Sequence, residues 1–151
     1  MTNKILTILL SAIFSISAIS LVAQDKADRV LGKWLNEEGD AHVEITKSGD
    51  VYSGKLVWLK FPTDDKTGKP KLDKKNPDDA LKSRPVLGLE MLSGFKYDSD
   101  DDEWTDGEIY DPKSGKTYSS FMEFDSDGKL KIRGYIGISL IGRTTYWTAV
   151  K

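Results

Sequence analysis

Residues 117–138 read Thr117-Tyr118-Ser119-Ser120-Phe121-Met122-Glu123-Phe124-Asp125-Ser126-Asp127-Gly128-Lys129-Leu130-Lys131-Ile132-Arg133-Gly134-Tyr135-Ile136-Gly137-Ile138. In the second half, Leu130, Ile132, Ile136 and Ile138 share one parity around Gly134, while Lys129, Lys131, Arg133 and Tyr135 take the other. Period-two alternation with one apolar face is the pattern of a half-buried strand. The first half alternates Tyr118, Ser120, Met122 and Phe124 against Ser119, Phe121 and Glu123. Between the halves, Asp125-Ser126-Asp127-Gly128 supplies a turn with a glycine free to take the left-handed conformation, so the stretch predicts a β-hairpin.

The same pattern recurs outward in both directions. Residues 41–46 and 51–61 flank Lys47-Ser48-Gly49-Asp50, and residues 103–110 and 117–124 flank Asp111-Pro112-Lys113-Ser114-Gly115-Lys116. With residues 33–36, 86–97 and 143–150 added, about eight strands separated by closely spaced turn signals predict an all-β antiparallel barrel or sandwich. The exception is 62–85, where Asp, Lys, Pro and Asn replace the alternation. Asn76-Pro77-Asp78-Asp79 resembles a helix start, which predicts a short helix over 77–83 ended by Pro85. A connection this long in a small domain is characteristic of a functional lid, here over one end of the barrel.

At the N-terminus, Lys4 precedes residues 5–22, which contain no charge, Gly or Pro. That layout predicts a signal peptide over 1–23, cut after Ala23 or, because Leu21 is large for its place, after Ser20. An uncleaved anchor is the rival reading, since the run is close to the roughly 20 residues that span a bilayer. The expectation is one domain over 24–151, exported to the periplasm or beyond, and soluble without a membrane anchor once cleaved. The chain has no Cys, which leaves no lipid attachment at the cut, no disulfide, no thiolate nucleophile and no Cys-ligated metal. Its 22 Lys and Arg stand against 24 Asp and Glu, for a net charge of −2. Nothing in that balance favours a nucleic-acid partner. No cofactor or metal is expected, and the oligomeric state is open.

Gly32-Lys33-Trp34 opens the first strand and Arg143 begins the last. First and last strands must pair to close a barrel, so Arg143 stacked on Trp34 is the expected structural closure. Gly-x-Trp at the start of a β-barrel with Arg on the last strand resembles the lipocalin and calycin pattern. A longer ordered set is more specific. It comprises Gly32-x-Trp34, Gly54-Lys55-Leu56-Val57-Trp58-Leu59-Lys60, Asp73-x-x-Asn76-Pro77-Asp78, and Arg84-Pro85-Val86-Leu87-Gly88. It continues with Gly107-x-Ile109-Tyr110-Asp111-Pro112-x-x-Gly115-Lys116-Thr117-Tyr118, Leu130-x-Ile132-Arg133-Gly134-Tyr135-Ile136-Gly137, and Gly142-Arg143-Thr144-x-x-Trp147. This set resembles the bacterial domain-of-unknown-function family two-one-four-seven over nearly the whole mature chain. The resemblance implies an exported lipocalin-like barrel and carries no catalytic site with it.

Candidate chemistry is sparse. Asp98-Ser99-Asp100-Asp101-Asp102-Glu103 begins like a calcium loop but has Glu103 where the loop glycine belongs and Ile109 where a bidentate Glu belongs, so it reads as a solvated turn. His42, the only histidine, lies on the polar parity with Glu44. Asp106, Glu108 and Asp111 could supply a carboxylate pair for glycoside hydrolysis, the second alternative to a binding role. The aromatic strand residues instead suit a barrel that holds a small apolar or amphipathic molecule. The expected contacts are Arg84, Tyr110, Tyr118, Arg133 and Tyr135, with a salt bridge from Arg84 to Asp73 or Asp78 as the rival role for Arg84. The alternation leaves open which parity faces the interior. A filled barrel serving as a protein-interaction module of the envelope is the first alternative, and an internal cavity above about 300 Å³ discriminates against it.

Overall fold

The computed structural model describes residues 26–151, so the signal-peptide expectation for 1–23 lies outside the described residues. Eight antiparallel strands close into a barrel in simple sequence order. They are β1 (Gly32–Leu35), β2 (Ala41–Ser48), β3 (Val51–Leu59), β4 (Glu90–Asp98), β5 (Glu103–Asp111), β6 (Lys116–Phe124), β7 (Leu130–Tyr135) and β8 (Gly142–Ala149). Closure is made where Trp34 and Leu35 of β1 pair with Ala149 and Thr148 of β8.

The 117–138 hairpin forms in register, with Phe124 opposite Leu130 and Met122 opposite Ile132. Leu130 and Ile132 are fully buried, which assigns the apolar parity of β7 to the interior. The alternation does not run on as predicted. β7 ends at Tyr135, and Ile136 and Ile138 lie exposed in the connection to β8. Gly137 takes φ 75 there, which turns the chain out of the sheet.

The interior is packed toward one end. Trp104, Phe95, Tyr52, Met122 and Leu130 are almost wholly buried and form its centre. Rings of Trp104 contact Tyr52, Tyr97 and Phe124 at centroid distances of 6.3, 5.2 and 5.8 Å. The segment just before β1 plugs this end. Trp104 Nε1 donates to the Ala27 carbonyl at 3.2 Å, and Trp34 Nε1 donates to the Val30 carbonyl at 2.9 Å. The Tyr52 hydroxyl and Lys47 both donate to Asp28 at 2.7 Å.

The proposed closure of Trp34 by Arg143 is corrected by these contacts. Trp34 is buried in the closed end beside Phe124, whereas Arg143 lies at the opposite end of β8, with an exposed side chain 3.4 Å from Glu38. The cation that seals the barrel is Arg29. Its guanidinium sits 4.7 Å from the Phe124 centroid and 5.6 Å from that of Trp104, and pairs with Asp102 at 2.9 Å. Replacing Arg29 with Ala is expected to cost about 1–2 kcal/mol, combining a half-exposed cation–π contact with a partly solvated ion pair. Chemical denaturation of Arg29→Ala beside Arg29→Lys checks this, and a loss below about 0.3 kcal/mol would remove Arg29 from the closure.

The acidic turn thus serves the plug. Asp102 accepts from the Tyr97 hydroxyl at 2.6 Å as well as from Arg29. The Tyr97 phenol is pushed up to about 12, first by burial and then by its bond to Asp102. A raised folded value means that the stabilisation is complete below the ordinary 10.0 and is lost as pH climbs through about 12. In an ultraviolet titration, one phenolate should appear only near that pH, and Tyr97→Phe should remove the late step. A Tyr97 phenolate appearing near its ordinary value would refute the arrangement.

A half-open cavity at the barrel mouth

At the other end the barrel is not filled. A cavity of about 810 Å³ opens there between the β1–β2 turn, the 62–85 connection, the β5–β6 turn and the β7–β8 turn. Its wall is mostly apolar, built from inner-face residues such as Val43, Leu56, Met91, Ile109, Ile132 and Trp147. Its rim is charged. Lys74 pairs with Asp64 at 3.0 Å, Lys113 with Asp40 at 3.5 Å, and Arg143 with Glu38 at 3.4 Å. Asn36 donates to Asp40 at 2.6 Å and, with Lys113, holds its carboxyl below the usual range. Such solvated pairs contribute little to stability, so the rim is a polar collar around an apolar hole.

The 62–85 connection crosses part of this mouth, and Leu72 and Lys71 line the cavity from it. The short helix expected over 77–83 is reduced to its middle residues. A single 3₁₀ turn spans Asp79–Leu81, capped by Asp78, whose carboxylate accepts from the Ala80 amide at 2.9 Å. Asn76, which opens the predicted helix start, accepts from the Asp78 amide in a local turn and donates to Asp73. The connection is fastened by Asp73, which is completely buried. Its carboxylate accepts from Arg84 at 2.9 Å, from the Tyr110 hydroxyl at 2.6 Å and from Asn76 at 2.9 Å. At Gly115, with φ 73, an added Cβ would collide with the Lys75 carbonyl, so a glycine lets the β5–β6 turn pack against this strap.

The five expected contact residues therefore divide. Tyr110 and Tyr118 line the cavity. Arg84 does not; it makes the rival contact, the salt bridge to Asp73. Arg133 and Tyr135 lie on the outer parity of β7 and are corrected as interior contacts. Arg133 donates to the Ser139 and Leu140 carbonyls and to Thr144, and Tyr135 packs 6.4 Å from Phe121. The aromatic set splits the same way, with Trp104 and Trp147 buried and Trp58 and Tyr146 exposed.

Sequence reasoning missed Met91, Ile109, Val86 and Thr145 as cavity wall. Register shifts interrupt β3 against β2 and β4, and β5 against β6 between Trp104 and Gly107, where Asp106 takes φ 58. Each bulge resets the inner parity, so counting by twos fails beyond it. Reading the bulges from Gly54 and Gly94 was the available signal. One inner-face polar group also went unnoticed: the Ser120 hydroxyl, between Tyr118 and Met122, is buried and has no hydrogen-bond partner among the described residues.

The acids nominated for hydrolysis do not converge. Asp106 and Glu108 are exposed, while Asp111 sits at the rim and accepts from Ser114 at 2.7 Å. His42 stacks on Trp58 at 4.4 Å across β2 and β3. Among the described residues, no group of three or more His, Asp or Glu side chains is placed to hold a metal ion.

An eight-stranded closed antiparallel barrel with one end plugged and an apolar cavity at the other is a lipocalin-like fold. Residues 32–149 match the family model described as an uncharacterized protein conserved in bacteria, DUF2147, and the chain belongs to that family. Among solved structures it is similar to protein HP1028 of Helicobacter pylori, described as belonging to the lipocalin family. The TM-score is 0.68 at 22% identity, over 82% of this chain and 84% of that one. Comparison with curated proteins gives no match.

Proposed function

We propose that this protein is a non-catalytic exported carrier that holds a small apolar or amphipathic molecule in the open half of its barrel. The observation that carries this reading is the cavity of about 810 Å³, well above the 300 Å³ set as the discriminating size, with an apolar wall beneath a charged collar. An apolar body would displace poorly bound water from the wall, and a polar group would remain at the rim. The uncharged run 5–22 behind Lys4 supports export. The volume weighs against the filled-barrel interaction module, and the scattered acids weigh against a hydrolase.

Native mass spectrometry of the protein purified from its own host tests the proposal. A copurified molecule that is released on unfolding is the expected result. A protein that emerges empty and takes up no apolar probe at micromolar concentration would overturn the carrier reading.

A further inference from the structure

The β7–β8 connection, Ile136-Gly137-Ile138-Ser139-Leu140-Ile141, is the most apolar exposed segment of the described chain. Ile136, Ile138, Leu140 and Ile141 are 66, 59, 84 and 67% exposed. Scattered surface aliphatics are ordinary, but four in six residues at one tip are not. Much of the tip's backbone is also bonded from within. Ile136, Ile138 and Ile141 amides donate to the Ile141, Ile136 and Ile138 carbonyls. The Ser139 and Leu140 carbonyls accept from Arg133 at 2.6 and 3.2 Å. Five carbonyls and three amides of the tip are thus satisfied from within the protein, which lowers the cost of bringing this backbone to an apolar boundary. The same bonds hold the aliphatic side chains outward.

A second element lies at the same mouth. Phe61, 58% exposed, lines the cavity entrance as Ile136 and Ile141 do. The Lys60 and Lys71 ammonium groups sit 5.6 and 5.8 Å from its ring centroid, and neither makes an ion pair among the described residues. The other rim cations Lys74, Lys113 and Arg143 each have an acidic partner. An exposed aromatic flanked by two lysines that make no ion pair among the described residues, Lys71 acting on Asp40 only from a distance, stands across the mouth from the aliphatic tip, and the two together are complementary to an anionic headgroup layer over acyl chains.

We infer that the open end of the barrel docks on an anionic lipid surface, with Ile138 and Leu140 entering the acyl boundary and Lys60 and Lys71 meeting the headgroups. Docking itself does not depend on the carrier reading. Its consequence does: the cavity mouth would face the membrane, so an amphiphile could pass between barrel and bilayer without crossing water.

The test uses the chain from Gln24 onward, which keeps every described contact of the barrel and omits the apolar run 5–22. It is floated with vesicles of phosphatidylcholine alone and with vesicles containing phosphatidylglycerol. The wild type is expected to partition at least tenfold better onto the anionic vesicles. Lys60→Gln with Lys71→Gln should lose about fivefold per lysine on anionic vesicles and nothing on neutral ones. Ile138→Ser with Leu140→Ser, at exposed positions that leave the core intact, should lose at least tenfold on both. Absence of wild-type binding to anionic vesicles overturns the proposal, as does unchanged binding of the serine variant. A wild-type dimer that the serine variant converts to monomer in sedimentation also overturns it, because the tip would then cover a second copy. Uptake of an apolar fluorescent probe, measured without vesicles, separates the two readings. Probe uptake without docking overturns only the docking, and docking without probe uptake overturns only the carrier.

Discussion

Replacing Arg84 with Met should destabilise the protein by about 3 kcal/mol, the low end of the range for breaking a buried ion pair from one side. Asp73 is entirely inaccessible, and Arg84 is its only cationic partner among the described residues. With the guanidinium removed, the carboxylate would keep two neutral donors, Tyr110 and Asn76, in a site that water does not reach. Those two bonds, and the partial exposure of Arg84, hold the cost near the lower bound. Urea denaturation gives the measurement. The double variant Asp73→Asn with Arg84→Met should recover part of the loss, because a neutral amide leaves no unpaired charge. If Arg84→Met alone costs less than about 1 kcal/mol, the strap is not held by this pair. Failure should begin locally: the 62–85 segment has one 3₁₀ turn and two isolated bridges, Thr63 with Pro70 and Leu72 with Pro85, so its attachment depends on Asp73.

Filling the cavity should abolish binding while leaving the fold in place. Met91 on β4 and Thr145 on β8 are half-buried, line the cavity and belong to strands on opposite sides of the barrel. Met91→Trp with Thr145→Trp would put two indoles into space that is now open, instead of into the packed end around Trp104. The dissociation constant for an apolar fluorescent probe should rise at least tenfold, about 1.4 kcal/mol, with the melting temperature nearly unchanged. Equal probe affinity in wild type and variant would mean that the probe binds elsewhere, and interior carriage would lose its support. A large fall in melting temperature would mean overpacking, and the smaller change Met91→Phe would then be the informative variant.

These two sites differ in how far they could be read without coordinates. The Arg84 to Asp73 bridge was among the roles anticipated for Arg84, since both residues carry opposite charge in one polar segment. The cavity wall could not be assembled, because the bulges near Gly54, Gly94 and Asp106 shift the inner face from strand to strand. Arg133 shows the same difficulty from the other side. Its polar parity was legible, but polar parity faces outward here, and its work is to hold the Ser139 and Leu140 carbonyls. The closing cation was assigned to Arg143 on strand order alone. Arg29, in a segment with no β pattern, takes that place because the chain before β1 folds across the packed end.

By itself the sequence determined the class of fold. Alternating side chains and turn residues are local properties, and eight such units have few ways to bury one face except by closing on one another. Strand count, hairpin order and the absence of Cys chemistry follow from that level. Only the tertiary structure decided which end is plugged, which is hollow, and that Ile136 and Ile138 stand out from the mouth instead of continuing the core face. Those outcomes depend on stagger, bulges and contacts between residues far apart in the chain, such as Ala27 with Trp104 and Asp73 with Tyr110. A period of two records that a residue has a buried face beside it, but not how far along the barrel that burial extends.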